Sequence, residues 1–144
     1  MAFRGTFDYS LDQKNRLTVP AKYRAALGES VVLATGTDGC IEVWRPDEFD
    51  GVINAALAGR NPLSREAREI RQWFFGNSHE VELDSAGRVA VPAPLQGHAS
   101  LTKEVVVTGA GDHFQIWDRA RWADHKSGLG AKIDDLIEGL GHPA

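Results

Sequence analysis

The chain has 144 residues, of which 42% are hydrophobic and 25% are charged, and its net charge is −4 at pH 7. These values are ordinary for a globular protein and exclude the disordered and fibrous classes. The first residues, MAFRGTFDYS, lack the apolar stretch of a signal peptide, and no apolar run is long enough to span a bilayer. Cys40 is the single cysteine, which excludes an internal disulfide. We therefore expect a cytoplasmic protein with no membrane partner.

Charge is distributed unevenly along the chain. Residues 1–72 contain ten Lys and Arg against ten Asp and Glu, whereas residues 73–144 contain six against ten. The acidic excess thus lies in the second half. Near the N-terminus the chain carries a basic cluster: Arg4, Lys14, Arg16, Lys22 and Arg24. This distribution predicts a local basic surface on an otherwise acidic protein.

The sequence contains an internal duplication. The segment TFDYSLDQKNRLTVPA (6–21) aligns with SHEVELDSAGRVAVPA (78–93), and each carries an Asp-x-x-x-Arg motif. Further along, VVL and IEVW in the first copy correspond to VVV and FQIW in the second. Because the same elements recur in the same order, the sequence predicts two copies of one β-rich module.

Each copy begins with two strands around a tight turn. Apolar residues alternate along FDYSLD and again along RLTVP, which is typical of half-buried strands. A tight turn of this kind often needs a residue with positive φ near its end, which glycine adopts freely and asparagine tolerates. We therefore predict that Asn15 and Gly87 let the turns close. Asp12 and Asp84 are predicted to cap the same turns through their carboxylates.

A helical segment and a second hairpin follow in each copy. PAKYRAAL (20–27) predicts a short helix, whereas PAPLQGHA, with Pro94 and Gly97, predicts a weaker helical turn. VVLAT with IEVWR, and VVVTG with FQIWD, predict the second hairpins. Trp44 and Trp117 occupy matching strand positions, and we expect both in the core or in an interface.

The region between the copies predicts two helices, the second of them starting at Asn61-Pro62. After Asp118 the sequence predicts a helix to Trp122 that then frays through SGLGAK before a last acidic turn. The predicted organisation is a first repeat at 5–47, a helical insert at 48–76, a second repeat at 77–120 and a helical or flexible tail at 121–144.

An aspartate and an arginine four residues apart across a turn allow three interpretations. The pair can be structural, with the carboxylate fixing the loop. The arginine can instead contact nucleic acid, since a guanidinium fork suits phosphates and guanine edges. The third, catalysis by Asp12 and Asp84 in a small hydrolase, is disfavoured because no histidine or second acid matches in both copies. The histidines also lack metal-ligand spacing, so we predict no catalytic residue, no metal and no cofactor.

The segments LDQKNRLTVPAKYR and LDSAGRVAVP, the GTF start and the block LTKEVVVTGAGDHFQIWD resemble the bacterial MraZ proteins to about residue 122. Members of this family are transcriptional regulators with two SpoVT/AbrB-like halves in one chain. The resemblance implies an α+β, mainly β fold. In it, duplicated swapped-hairpin (AbrB-like) β-barrel halves form an intrachain pseudo-dimer, with a helical insert and a helical C-terminal segment.

The resemblance also implies a function. The chains are expected to form ring-shaped homo-oligomers and to bind no small-molecule substrate. The protein is expected to be cytoplasmic and associated with the nucleoid. They would bind short direct repeats in double-stranded DNA upstream of the division and cell-wall gene cluster that contains their own gene, and repress it. An antitoxin-like module that binds DNA and neutralises a protein partner is the alternative.

The family's motif places DNA contacts on Arg16 and Arg88. Lys14 gives the first turn an additional cation, so we expect this turn to contact DNA more strongly than the second. Lys22 and Arg24 either add phosphate contacts or lie on a solvated helix face. Avidity from an assembled ring would compensate for weak binding by one acidic subunit.

Overall fold

The computed structural model describes residues 2–141, which form eight strands and five helices. The fold is α+β and mainly β, as predicted. The strands are β1 (Thr6–Ser10), β2 (Arg16–Thr18), β3 (Ser30–Thr35), β4 (Ile41–Trp44), β5 (His79–Glu82), β6 (Arg88–Ala90), β7 (Glu104–Gly109) and β8 (His113–Asp118). The helices are α1 (Ala21–Arg24), α2 (Pro46–Ala56), α3 (Arg65–Gly76), α4 (Ala93–Ala99) and α5 (Arg119–Leu140).

Six strands form one antiparallel sheet in the order β1-β7-β8-β4-β3-β5, and β2 and β6 form a separate two-stranded ribbon. The two predicted second hairpins are present as β3–β4 and β7–β8. Strand β1 pairs with β7, placing Phe7 opposite Val107, and β5 pairs with β3, placing Val81 opposite Val31. Each half therefore lends a strand to the hairpin of the other half.

The strands of the described residues do not close into barrels, because β1 and β5 are the two ends of the six-stranded sheet. The strands on either side of each turn also belong to different sheets. β2 and β6 have only three residues each, and they pair with one another. The prediction of β-barrel halves is therefore not confirmed, and the architecture is an open sheet with a ribbon across it.

The main core lies between the inner face of the sheet and the ribbon. Leu17 from β2 and Val89 from β6 are fully buried there, together with Leu95 of α4 and Tyr23 of α1. Burial of one large aliphatic side chain contributes roughly 1.5–3 kcal/mol, so this core fixes the ribbon on the sheet. The sheet contributes Val31, Leu33, Ile41, Val43, Val105, Val107, Phe114 and Ile116.

The outer face of the sheet carries the two matching tryptophans, which are buried as predicted. Trp44 packs against Phe49 of α2, with ring centroids 6.2 Å apart. Trp117 packs against Trp122 of α5 at 5.5 Å. The helices of the insert therefore cover one end of this face, and α5 covers the other.

Two helices differ from their predictions. The second copy was expected to form the weaker helical turn, yet α4 has seven residues and α1 has four. Pro94 falls in the first turn of α4, where its missing N–H is not needed, and Leu95 and Ala99 bury one face. α3 begins at Arg65 rather than at Asn61-Pro62, because the Ser64 side chain caps the N–H of Ala67.

The C-terminal segment is one continuous helix, so the predicted fraying after Trp122 is wrong. Asp118 caps this helix by accepting from the N–H of Arg121 at 3.3 Å. Glycine lowers helix propensity by about 1 kcal/mol per residue, but the strong helix formers Leu129 and Ala131 flank Gly130, and Glu138 and Leu140 flank Gly139. Residues 142–144 of the predicted tail lie outside the described residues. None of the helices within residues 2–141 is long and apolar enough to cross a membrane.

Candidate nucleic-acid interface

The ribbon brings the two Asp-x-x-x-Arg turns together. In its register Arg16 lies opposite Ala90, Leu17 opposite Val89, and Thr18 opposite Arg88. Since Leu17 and Val89 point into the core, alternation along each strand places Arg16 and Arg88 on the same outward face. The ribbon therefore presents the two arginines on one face as diagonal neighbours, although 72 residues separate them in the chain.

In the first turn, the carboxylate of Asp12 makes three hydrogen bonds. Its Oδ1 accepts from the backbone N–H groups of Lys14 and Arg16, both at 2.9 Å. Its Oδ2 accepts from Nε of Arg16 at 2.7 Å. One carboxylate thus shapes the loop and orients the arginine, whose terminal Nη groups are left to contact a ligand.

The second turn has the same bonds. Oδ1 of Asp84 accepts from the N–H groups of Ala86 and Arg88 at 2.9 Å, and Oδ2 accepts from Nε of Arg88 at 2.8 Å. A weaker link joins the turns, since Nη1 of Arg16 lies 4.0 Å from Oδ2 of Asp84. The structural interpretation and the nucleic-acid interpretation are therefore compatible, because the bond that fixes the loop also holds the arginine.

Both turns contain a residue in the left-handed region. φ is +56° at Asn15 and +75° at Gly87, which is the conformation predicted for these positions. The N–H of Asn15 donates to the carbonyl of Asp12, and that of Gly87 to the carbonyl of Asp84, each at 2.9 Å. Asparagine and glycine thus close two turns of the same shape.

The hydrogen bonds also act on the acidity of the two carboxyl groups. The N–H of Arg16 is the main cause that lowers the pKa of Asp12 below its ordinary value of 3.8, and partial burial opposes it. The N–H of Arg88 lowers the pKa of Asp84 in the same way. Both carboxylates stay ionised at neutral pH and remain acceptors for the N–H groups and the guanidinium of their turns.

A shallow groove of about 330 Å³ lies at the first turn, lined by Asp12, Gln13, Lys14, Arg16 and Arg88. It brings together three of the predicted DNA-contacting residues. Lys14 is exposed at the tip of the turn, whereas the corresponding Ala86 supplies no charge. Within the described residues, no cluster of three His, Cys, Asp or Glu side chains is arranged to hold a metal ion.

The other two predicted contact residues, Lys22 and Arg24, lie on α1 and do not line this groove. Lys22 is exposed on α1, beside Arg4. Arg24 folds back onto its own half, where its Nε donates to the carbonyl of Val19 at 2.9 Å, and its side chain also lies against Gly87 of the other half. A Cβ added at Gly87 would lie only 2.7 Å from three side-chain atoms of Arg24. Arg24 thus packs over the second turn.

Gln96 occupies the equivalent place in the second copy and was missed by sequence reasoning. Its Nε2 donates to the carbonyl of Val91 at 2.8 Å, and the N–H of Val91 donates to the carbonyl of Asn15. Gln96 therefore faces the first turn as Arg24 faces the second. The repeat alignment contained this signal, since Gln96 follows Arg24 by the same 72 residues that separate Asp84 from Asp12.

Comparison with known proteins gives consistent matches over both halves. A family model described as "MraZ protein, putative antitoxin-like" matches residues 2–69 and 74–133, which include both turns. A protein of Lactiplantibacillus plantarum named "Transcriptional regulator MraZ" is 39% identical over 138 residues, covering 96% of this chain and 97% of the relative.

Two further relatives carry the same name. The protein of Nocardioides sp. is 39% identical over 143 residues, covering 99% of this chain and 98% of the relative. The protein of Mycoplasmoides gallisepticum is 36% identical over 138 residues, covering 96% of each chain. The similarity therefore extends through the turns, the insert and most of α5.

Proposed function

This chain belongs to the MraZ family, and we propose that it is a sequence-specific DNA-binding transcriptional regulator that contacts DNA with its paired turns. The relatives named above are called transcriptional regulators, not enzymes. The observation that carries the proposal is the ribbon geometry: β2 and β6 hold Arg16 and Arg88 on one face, each fixed at Nε by an aspartate.

A guanidinium held at Nε suits DNA recognition. Its Nη groups can form a bidentate contact with O6 and N7 of guanine or with a phosphate. Because each arginine is already oriented, little side-chain entropy is left to lose on binding. Lys14 adds a point charge toward the phosphates at the first turn only, so the first turn is proposed to make the stronger contact.

One subunit should bind weakly, because its two turns present only three cations to DNA and the net charge of the protein is −4. We propose that the chains form a ring-shaped homo-oligomer. Rigid linkage makes each later contact intramolecular and can add roughly 10²–10⁴ in affinity. Direct repeats about one helical turn apart, ~10 bp, would present each repeat on the same side of the DNA.

The family resemblance supplies the proposed regulatory context. The operator would lie upstream of the division and cell-wall gene cluster that includes the gene for this chain, and binding would repress it. The protein would then be associated with the nucleoid. Lys22 and Arg24, both exposed on α1, would add phosphate contacts without reading sequence.

The test is a gel shift on the DNA upstream of this gene. Arg16→Ala and Arg88→Ala are each expected to lose about 5- to 150-fold in affinity, since loss of a bidentate guanine contact costs about 1–3 kcal/mol. Arg60→Ala removes the same charge from the exposed loop between α2 and α3 and should bind like the wild type. Size-exclusion chromatography checks the assembly of each variant. Unchanged binding by both turn variants, still assembled, would exclude this site.

A second candidate is an antitoxin-like role, favoured by the description of the matching family as antitoxin-like. The protein would then bind DNA and also neutralise a protein partner. The exposed apolar residues at the end of α5, among them Ile137 and Leu140, are the surface that such a partner would cover. Deleting residues 133–144 would abolish neutralisation of that partner while the Arg16-dependent contact of the turn with DNA remained.

A further inference from the structure

Helix α5 carries an apolar stripe that extends beyond the body of its own subunit. At about 100° per residue, six residues fall within ~80° of the helix circumference: Trp122, His125, Leu129, Ile133, Leu136 and Leu140. The first two pack on Trp117, at 5.5 and 4.5 Å between ring centroids. The last three are 45%, 49% and 87% exposed. The stripe therefore begins on the core and continues into solvent.

Charges are sorted around this stripe. Lys126 and Lys132 flank it on either side, whereas Asp134, Asp135 and Glu138 lie on the opposite face of the helix. The stripe is thus an apolar seam bordered by positive charge. A partner that fits it must present apolar side chains with acidic neighbours.

In the first half of the chain, the helix that corresponds to α5 is packed against a second helix. There α2 follows the strand of Trp44 as α5 follows the strand of Trp117, and Phe49 packs on Trp44 as Trp122 packs on Trp117. In the first half a second helix, α3, adds Ala67 to the cluster formed by α2. The described part of the second half, which ends within one turn after α5, contains no counterpart of α3.

The face of α3 beside its buried side has the complementary character. Ile70 and Trp73 lie one turn apart and are 39% and 52% exposed. Helical spacing places Glu66 and Glu69 next to them. This face is therefore apolar with acidic neighbours, and it lies at the end of the sheet that α5 does not cover.

We infer that the stripe of α5 docks on the Ile70–Trp73 face of α3 in a second copy of this chain. Lys126 and Lys132 would then meet Glu66 and Glu69. Pairing of α5 with α5 of another copy is disfavoured, because it brings the lysines of both helices to one seam without an acid. This inference rests on the ring assembly proposed above and assigns its interface.

Such a contact is head-to-tail, since each subunit offers α5 at one end of the sheet and α3 at the other. In a head-to-tail contact, every open oligomer keeps one unpaired surface at each end. All surfaces are paired only when the oligomer closes into a ring. The ribbon with its two turns lies on the inner side of the sheet, away from the helices of both surfaces. Assembly therefore leaves the turns free to contact DNA.

The experiment uses two variants of the full chain, each disabling one surface, and analytical ultracentrifugation. Leu136→Asp disables the stripe and Trp73→Asp disables the α3 face. Each variant alone is expected to sediment as a monomer. An equal mixture should form a dimer and nothing larger, since one intact α5 and one intact α3 face remain. Both changes are at exposed positions, and circular dichroism verifies folding.

Two matched controls add the same charge to the same helices off the docking surfaces. Ala131→Asp lies across α5 from the stripe, and Gln72→Asp lies off the Ile70–Trp73 face. Both should assemble like the wild type.

Three outcomes would overturn the inference. They are wild-type assembly by either Leu136→Asp or Trp73→Asp, loss of assembly by either matched control, and failure of the mixture to dimerise. In these cases the wild type still assembles and the proposed avidity stands. A wild-type chain that is monomeric at micromolar concentration would overturn the avidity as well, whereas Arg16-dependent DNA binding is measured separately.

Discussion

The two turns make the same hydrogen bonds with different residues, and this comparison separates what shapes the loop from what the loop can do. Asp12 and Asp84 each fix two N–H groups and one guanidinium at distances that agree within 0.1 Å. The tip residue differs, being Lys14 in one turn and Ala86 in the other. The geometry is thus set by the repeated pair, and the charge by the residues between.

The second difference is at the positive-φ position. Gly87 lies under Arg24, whereas Asn15 lies on the turn faced by the shorter Gln96. In each turn, the positive-φ residue therefore lies next to a side chain from the opposite half of the chain. A side chain at residue 87 would have to displace the flexible end of Arg24 in addition to adopting positive φ.

The largest effect is expected from exchanging these residues. Gly87→Asn should destabilise the fold by about 1–2 kcal/mol, because the new side chain displaces Arg24 from the carbonyl of Val19. Adding Arg24→Gln reproduces the pairing of the first turn and should recover most of that loss. Urea unfolding at one fixed protein concentration, for the wild type, both single variants and the double variant, measures the coupling.

Asn15→Gly is the matched control for this cycle. Glycine accepts the same φ, so the change should stay within about 0.5 kcal/mol of the wild type. Equal destabilisation by Gly87→Asn with and without Arg24→Gln would show that Arg24 does not limit residue 87.

A smaller effect is expected from exchanging the charges at the tips. Lys14→Ala should weaken operator binding a few-fold and reduce the dependence of log affinity on log salt by about 1 per subunit bound. Ala86→Lys should change both quantities in the opposite direction. Gel shifts at several salt concentrations measure them, and an unchanged salt dependence in both variants would contradict phosphate contacts at the tips.

The smallest effect concerns acid. Because folding lowers the pKa values of Asp12 and Asp84, these groups stabilise the fold when the pH is above their ordinary pKa of 3.8. That contribution is lost as the pH falls through their lower folded values. Asp12→Asn and Asp84→Asn should each reduce the loss of stability between about pH 5 and about pH 3, by similar amounts. Thermal unfolding across this range is the measurement, and a clear inequality between the variants would show that the turns are not electrostatically equivalent.

The sequence alone determined the repeat, the two turns and the four residues that shape them. These features are local: a carboxylate caps N–H groups two and four residues ahead, and positive φ selects asparagine or glycine. The buried tryptophans were predictable too, because a duplicated core explains both. The family could likewise be recognised from the motifs.

Tertiary structure decided the rest, since it depends on contacts between residues far apart in the chain. Only the pairing of β2 with β6 places Arg16 beside Arg88, and only packing across the halves sets Arg24 on Gly87. The open sheet was not predictable, because local alternation does not specify which strand is the neighbour. Nor was the full length of α5 predictable, where glycines favour fraying yet the helix continues and carries its apolar stripe into solvent.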